Sequence, residues 1–451
     1  MIRRKISAAI IVLMTAGGAW ADDPEKILSV GARDLVEQAL KDIPTGALRD
    51  YHTHIIGTGT GGPGVWVNPR GLSWLHPIER IRTLIYLNAS GVADEARADG
   101  QYIERLARLI RNSPGHGKNY IMAFDYNHAP GCVKNEDGSA FYVADDYVVK
   151  SALENPDIFI PAVSVHPYRA DAVDRLNYWA GRGVKMVKWL PNSMGINACD
   201  RRLKAYYCAL KRNGMVLNAH TGEEQAVAAD EGQALGNPLL LRYPLDLGVK
   251  VIAAHSASLG TNPDLDKTGE TADNFQLFMR LMDDPLYKDN LFGDISATTQ
   301  YNRISFENNR ESGPLLELLR RPDLHGRLVN GSDYPLPAIN WTVHLGKLRD
   351  MGLISGDEAD RLREIYAVNP LLFDFVLKRT VRDPKTGKGF PARMFTANPA
   401  FGDEWTPAGD AVSFAPAGPG RCPVDSLPDF GQVWALCSRG ELGPKHRDKC
   451  E

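Results

Sequence analysis

Beyond its first few residues the chain has no run of like charge. Its 52 lysines and arginines face 55 aspartates and glutamates, for a formal net charge of −3. A nucleic-acid partner needs a basic stripe or patch, and nothing here points to one. Low-complexity segments and strong internal repeats are also missing, which leaves out solenoids and disordered polar tracts. Cysteine is scarce, with six in all, and none sits in the C-x-x-C spacing of a structural zinc site. They read as disulfide staples or buried thiols, and if all six pair, 15 connectivities are open.

Long apolar runs are equally rare. The one that stands out, Ile6 to Ala19, follows Arg3-Arg4-Lys5 and ends in Ala19-Trp20-Ala21, an A-x-A cleavage pattern before Asp22-Asp23. Residues 1–21 therefore read as a secretory signal peptide, too short in its apolar part to span a membrane comfortably. No cysteine follows the cut, so a lipid anchor is not expected. The mature chain is expected to be exported, to a periplasm, with no membrane contact after cleavage. Six cysteines suit that oxidising destination.

What remains has ordinary composition for a soluble enzyme, 43% hydrophobic and 24% charged over 451 residues. Residues 22–46 form an N-terminal segment, and the spacing of Ile27, Leu28, Val30, Leu35, Val36 and Leu40 predicts a helix over 27–41. Nine apolar, β-branched runs follow, near 48–54, 82–87, 119–125, 158–165, 183–189, 214–219, 249–254, 291–296 and 327–332. Most gaps between them carry helical patterns. The run at 82–87 fits the 3.6-residue period of Trp74, Ile78, Ile81, Leu84 and Ile85, so it is read as a helix. Eight strands alternating with helices predict an α/β fold, a (β/α)8 TIM barrel over 47–378. The Pro-, Gly- and Cys-rich residues 379–451 are expected to be an extended tail wrapped on the barrel.

Chemistry gathers at the strand ends. In Asp50-Tyr51-His52-Thr53-His54 the alternation of a strand puts both imidazoles on one face, half of a zinc-type site. The glycine-rich stretch 57–64 after it reads as a loop. Lys188, His220, His255 and Asp333 each close a later run. The separations are 32 residues from Lys188 to His220, 35 to His255 and 78 to Asp333, or one, one and two strand–helix units. In a barrel such ends open on one mouth, so these residues converge.

The pattern resembles the amidohydrolase superfamily over residues 47–378: His-x-His after strand one, Lys after four, His after five and six, Asp after eight. Lys188-Trp189-Leu190-Pro191 is similar to dihydroorotase-type members. Asp50 and Ile365-Tyr366-Ala367-Val368-Asn369-Pro370 look more like the branch that contains decarboxylases. The resemblance implies one divalent ion on His52, His54 and Asp333 and a second on His220 and His255, with zinc the default for such ligands. An ammonium has no lone pair, so Lys188 would bridge two ions only after deprotonation and carbamylation. If it instead pairs with a carboxylate, one ion is expected. A bound divalent ion lowers the pKa of water from about 15.7 to about 7. Asp333 would take the proton of that water and return it to a leaving group. Asp50 is expected to orient a ligand histidine.

Other residues have two readings. His166, in Ser164-Val165-His166-Pro167, either touches substrate or is structural, and Arg303 is a candidate clamp for an anionic substrate. Glu223 and Glu224 read as solvated loop charges, and His76, His116 and His325 as surface residues. The expectation is an exported metal-dependent hydrolase whose activated water attacks a carbonyl carbon of a small amide, lactone or ester. The alternatives are a decarboxylase with one ion and a metal-binding protein without turnover. Homo-oligomerisation is left open.

Overall fold

The apolar runs become strands because each is short, β-branched and buried on both faces, the signature of a parallel sheet covered by helices. The structure is a computed structural model that describes residues 27–408 and Cys450, apart from 63, 228, 230, 231, 307–310 and 403. The expected signal peptide, Cys422 and Cys437 lie outside the described residues. The strands are β1 (Arg49–His54), β2 (Lys118–Met122), β3 (Phe159–Ala162), β4 (Met186–Trp189), β5 (Val216–His220), β6 (Lys250–Ala254), β7 (Leu291–Asp294) and β8 (Leu328–Val329). Neighbours pair in parallel from β1 to β3 and from β4 to β8. Val163 bridges to Val187 and joins the two arcs at β3 and β4. The ring closes where Thr53 meets Tyr334 and the Tyr51 N–H donates to the Asn330 carbonyl at 2.9 Å. This is a (β/α)8 barrel.

Helices cover it between strands, including Ala98–Arg111, Asp145–Glu154, Ala172–Gly181, Lys204–Arg212, Asn274–Asp283 and Pro314–Arg320. The ambiguous run at 82–87 lies inside the helix Pro77–Ala89, so the 3.6-residue period was the right guide. The N-terminal helix spans Val30–Leu40, with the Ser29 hydroxyl capping Ala32. Two further helices, Gly356–Val368 and Pro370–Thr380, meet at Asn369. Its side chain accepts from the N–H groups of Leu371 and Leu372 and donates to the Leu109 carbonyl at 2.8 Å. Pro370 fills the first helical position, where no N–H is needed. Asn369 and Pro370 thus cap and start the second of these helices.

The described part of the tail lies against the N-terminal end of the barrel. Phe401 packs edge-on against Tyr51 and Phe292, Lys250 at the start of β6 donates to the Ala400 carbonyl, and Trp405 donates to the Arg182 carbonyl. Cys208 is bonded to Cys450, Cys132 and Cys199 are also in disulfides, and no described cysteine is free. At the opposite end, the excursion after β1 sends Val65–Val67 to pair with Phe141–Val143 over the mouth. No helix among the described residues is long and apolar enough to cross a membrane.

Candidate metal centre

His52 and His54 alternate on β1, so both rings point into the mouth, with their Nε2 atoms 3.2 Å apart. Asp333, four residues past β8, brings Oδ1 to 3.5 Å from His52 Nε2 and 3.3 Å from His54 Nε2. Ligand atoms about 2.0–2.1 Å from one ion at tetrahedral angles lie about 3.3 Å apart. The three edges of this triangle match that spacing, so His52, His54 and Asp333 fit a divalent ion. Beside them His255 Nε2 is 3.1 Å from His220 Nδ1, and His220 Nε2 is buried with no protein partner. Lys188 Nζ lies 2.9 Å from His52 Nε2 and 3.2 Å from Asn218 Oδ1. All six residues anticipated at the strand ends are therefore brought together, as a closed triad, an adjoining pair and Lys188 beside His52.

The residue that organises them is one the sequence reading passed over. Asp294, the last residue of β7, is fully buried. Its Oδ2 accepts from His52 Nδ1 at 2.9 Å, and its Oδ1 accepts the backbone N–H groups of His255 and Ser296 at 2.8 and 3.0 Å. Ser296 Oγ donates to the same carboxylate and stands 2.7 Å from His255 Nδ1. An ionised carboxylate only accepts, so the His52 proton sits on Nδ1 and the neutral ring keeps its lone pair on Nε2, facing the triad. Through Ser296 the same carboxylate fixes the ring of His255. The available signal was position alone: Phe292-Gly293-Asp294 ends its strand as Ala253-Ala254-His255 ends the one before.

Asp50 holds the strand and not the ring. Its Oδ1 accepts the N–H groups of His52 and Ser332, both at 2.9 Å, and its Oδ2 accepts from Asn119 at 3.1 Å. No imidazole is oriented by it directly, because a side chain two residues before His52 on a strand folds back onto the backbone between them. Gly331 allows β8 this close to β1, since a Cβ there would stand 2.7 Å from that of His52. Left-handed backbone at non-glycine residues clusters here: φ is 58° at His255, 49° at Ser256, 50° at Ala257 and 61° at Asp333. Such conformations cost about 1–3 kcal/mol each and persist where surrounding contacts impose them. Here the imposing bonds are His255 N–H to Asp294 and Asp333 N–H to the His52 carbonyl at 2.7 Å.

Burial dominates the electrostatics. It pushes His54 down to about 4, and His220 and His255 well below the usual range, so these rings are neutral ligands at pH 7. Burial by itself would raise Asp333, but His52, His54 and Lys188 outweigh it and hold the carboxyl below its usual range. Asp294 is likewise held low, burial being overcome by His52 and then by His255 and Ser296. Burial pushes Lys188 down to about 8 against the pull of Asp294, Asp333 and Glu224.

Several secondary assignments change. His166 is wholly buried, with Nε2 2.9 Å from the Met194 carbonyl and Nδ1 accepting from Tyr168 N–H, and it does not line the cavity described below. Arg303 is also buried, with Nη1 on Ser258 Oγ at 3.0 Å, and it does not line the cavity described below. Glu224 is not a solvated charge. It is buried, 3.4 Å from His220 Nδ1, accepts from Val227 N–H at 2.9 Å, and is pushed up to about 7 by burial. His325 is buried too, bonded to the Leu318 carbonyl.

Above the centre lies a cavity of about 200 Å³, floored by His54, His220, His255, Glu224 and Asp333. Its walls come from the excursion after β1, the ribbon strand at Phe141 and the loops after β4, β5 and β8.

No family model matches the chain, and no curated protein matches it in sequence. Among solved structures, an uncharacterised TIM-barrel protein from Bordetella bronchiseptica is similar at 15% identity and a TM-score of 0.42, over 70% of this chain and 98% of that one. A 5-carboxyvanillate decarboxylase from Novosphingobium aromaticivorans, complexed with manganese, gives 11% and 0.38 over 76% and 96%. A zinc-bound amidohydrolase from Burkholderia multivorans gives 11% and 0.33 over 68% and 90%. At such identities and scores no activity passes from them to this chain, whose barrel stands on its own strand order and register.

Proposed function

We propose that the protein is a metal-dependent hydrolase of the amidohydrolase type that attacks a carbonyl carbon of a small amide, lactone or ester. The observation that carries this reading is the His52–His54–Asp333 triangle at the floor of the cavity, with edges of 3.2 to 3.5 Å. The histidine-rich donor set suits zinc, which when bound would polarise the carbonyl and make water acidic enough to ionise near neutral pH. Asp333, held ionised, is the carboxylate placed to accept a proton and return it to the leaving group. With its pKa near 8, part of the Lys188 population is free amine at neutral pH, the form that reacts with carbon dioxide to give a carbamate. Export to an oxidising compartment belongs to the same proposal. It is supported by the signal-like residues 1–21 and by the disulfides.

A second reading, a decarboxylase with a single ion, has one observation in its favour. Among the described residues two groups close at ligand spacing, His52–His54–Asp333 and the fully buried His52–His255–Asp294; both use His52 and neither includes His220, so they do not amount to two separate ion sites. Asp333→Asn separates the two. Zinc-reconstituted protein is assayed against esters, lactones and amides of small acids, in ¹⁸O-labelled water. The hydrolase reading expects label in the product carboxyl and a loss of at least about a hundredfold in turnover for Asp333→Asn with zinc retained. Release of carbon dioxide from substrate, with no label in the remaining product, hands the assignment to the decarboxylase.

A further inference from the structure

Arginines in this protein seldom stand alone when they are part-buried. Arg80 is held by both oxygens of Glu95, and Arg169, Arg242, Arg280 and Arg320 each grip an aspartate. Arg82, on the same helix as Arg80, is different. It is half-buried in the cavity wall, and among the described residues no carboxylate comes within ion-pair distance of it. Glu79, which is part-buried, and Asp137, which is exposed, also border the mouth, but neither pairs with it.

Tyr86, one helical turn further on, lines the same cavity. The Tyr86 hydroxyl donates to the Ala226 carbonyl at 2.8 Å, so it is already committed. Tyr86, Arg82, Glu224 and Asp333 all line this one cavity. A molecule filling the cavity would therefore meet both the metal centre and Arg82. The cavity lining also has an apolar part, with Ile56, Val67, Phe141, Leu190, Val227 and Leu336.

We propose that Arg82 is the anchor for an anionic group, in the first instance a carboxylate, on a substrate whose body is apolar and whose other end reaches the metal centre. A guanidinium matches a carboxylate with two parallel hydrogen bonds, and beside apolar surface that pair is screened less than on an open surface. A small apolar amide, ester or lactone without the anion would leave Arg82 half-desolvated and unpaired, so neutral analogues are selected against. The inference rests on the hydrolase reading only for which end of the substrate reacts. The anion subsite itself stands on Arg82 and the cavity.

Benzoate and benzamide serve as probes, since they share shape and differ in charge. Binding to the full-length, oxidised protein is measured by calorimetry, in metal-loaded and metal-stripped forms, for the parent and for Arg82→Met and Arg82→Lys. Benzoate is expected to bind at least about tenfold more tightly than benzamide in both forms, with the preference lost in Arg82→Met and partly kept in Arg82→Lys. Melting curves of the variants confirm that the fold is retained. A preference that survives Arg82→Met, or that exists only with metal bound, overturns the proposal, because the carboxylate would then sit on the ion. Absence of saturable benzoate binding at tens of millimolar overturns it as well. If zinc fails to bind but the Arg82-dependent preference persists, the metal reading falls and the anion subsite stands.

Discussion

Asp294→Asn changes one oxygen to an NH₂ group and leaves the shape of β7 alone. In the parent, Oδ1 carries the N–H bonds from His255 and Ser296, and Oδ2 takes the proton of His52 Nδ1 at 2.9 Å. The amide keeps its oxygen for the two backbone donors, so its NH₂ faces His52. Two donors then confront each other, and His52 relieves the clash by moving its proton to Nε2, which removes the lone pair that faces His54 and Asp333. Losing an outer partner of a ligand histidine typically costs about 10–100-fold in metal affinity, or about 1.4–2.7 kcal/mol. Zinc affinity is measured by competition with a chromophoric chelator, alongside far-UV circular dichroism to establish that the barrel persists. Ser296→Ala, which removes the hydroxyl beside His255 Nδ1 at 2.7 Å and only a longer 3.3 Å contact to His52 Nδ1, is expected to lose less. Parent-like zinc affinity in Asp294→Asn would refute the tautomer argument, since the carboxylate would then be a packing group and nothing more.

Two further outcomes follow from the same chemistry. His52→Ala or His255→Ala should lose metal more severely than Asp294→Asn yet keep a folded, cooperatively melting barrel, because these residues stand at the strand ends and not in the packed interior. Wholesale loss of circular dichroism would contradict that. The second outcome concerns pH. Burial pushes the Asp145 carboxyl up to about 7, well above its ordinary 3.8, so the folded state holds that proton more tightly than the unfolded chain. Its contribution to stability is therefore complete below about pH 4 and is lost as pH rises towards about 7. Asp145→Asn keeps an oxygen for the Ser164 N–H, now bonded at 2.7 Å, and should flatten the urea midpoint across that window. An unaltered pH slope would show that the carboxyl ionises in the fold without penalty.

The strands and the six residues at their ends were legible because barrels space their units regularly, and because a ligand after a run of β-branched residues stands out. Asp294 has the same position as His255 and Lys188, yet the reading used its strand only as a spacer between His255 and Asp333. A carboxylate that serves two histidines through hydrogen bonds leaves no spacing rule to detect. Burial explains the other differences. Whether His166, Arg303 or Glu224 faces a cavity depends on how loops turn after the strand, and local composition is silent on that. Glu224 shows it well, since a glutamate doublet in a mouth loop looks solvated until Val227 N–H folds back to hold it.

The bond between Cys208 and Cys450 joins residues 242 positions apart, from the helix before β5 to the last but one residue of the chain. In the chain-entropy picture, closing a loop of that length destabilises the unfolded ensemble by roughly 5 kcal/mol. A typical domain is stable by only about 5–15 kcal/mol in total. The cross-link thus makes the redox potential of the surroundings a term in the folding equilibrium. In reducing medium a large share of the margin would vanish without any change in the barrel's own contacts. The thiol–disulfide balance of a compartment would decide how much of this protein is found folded there.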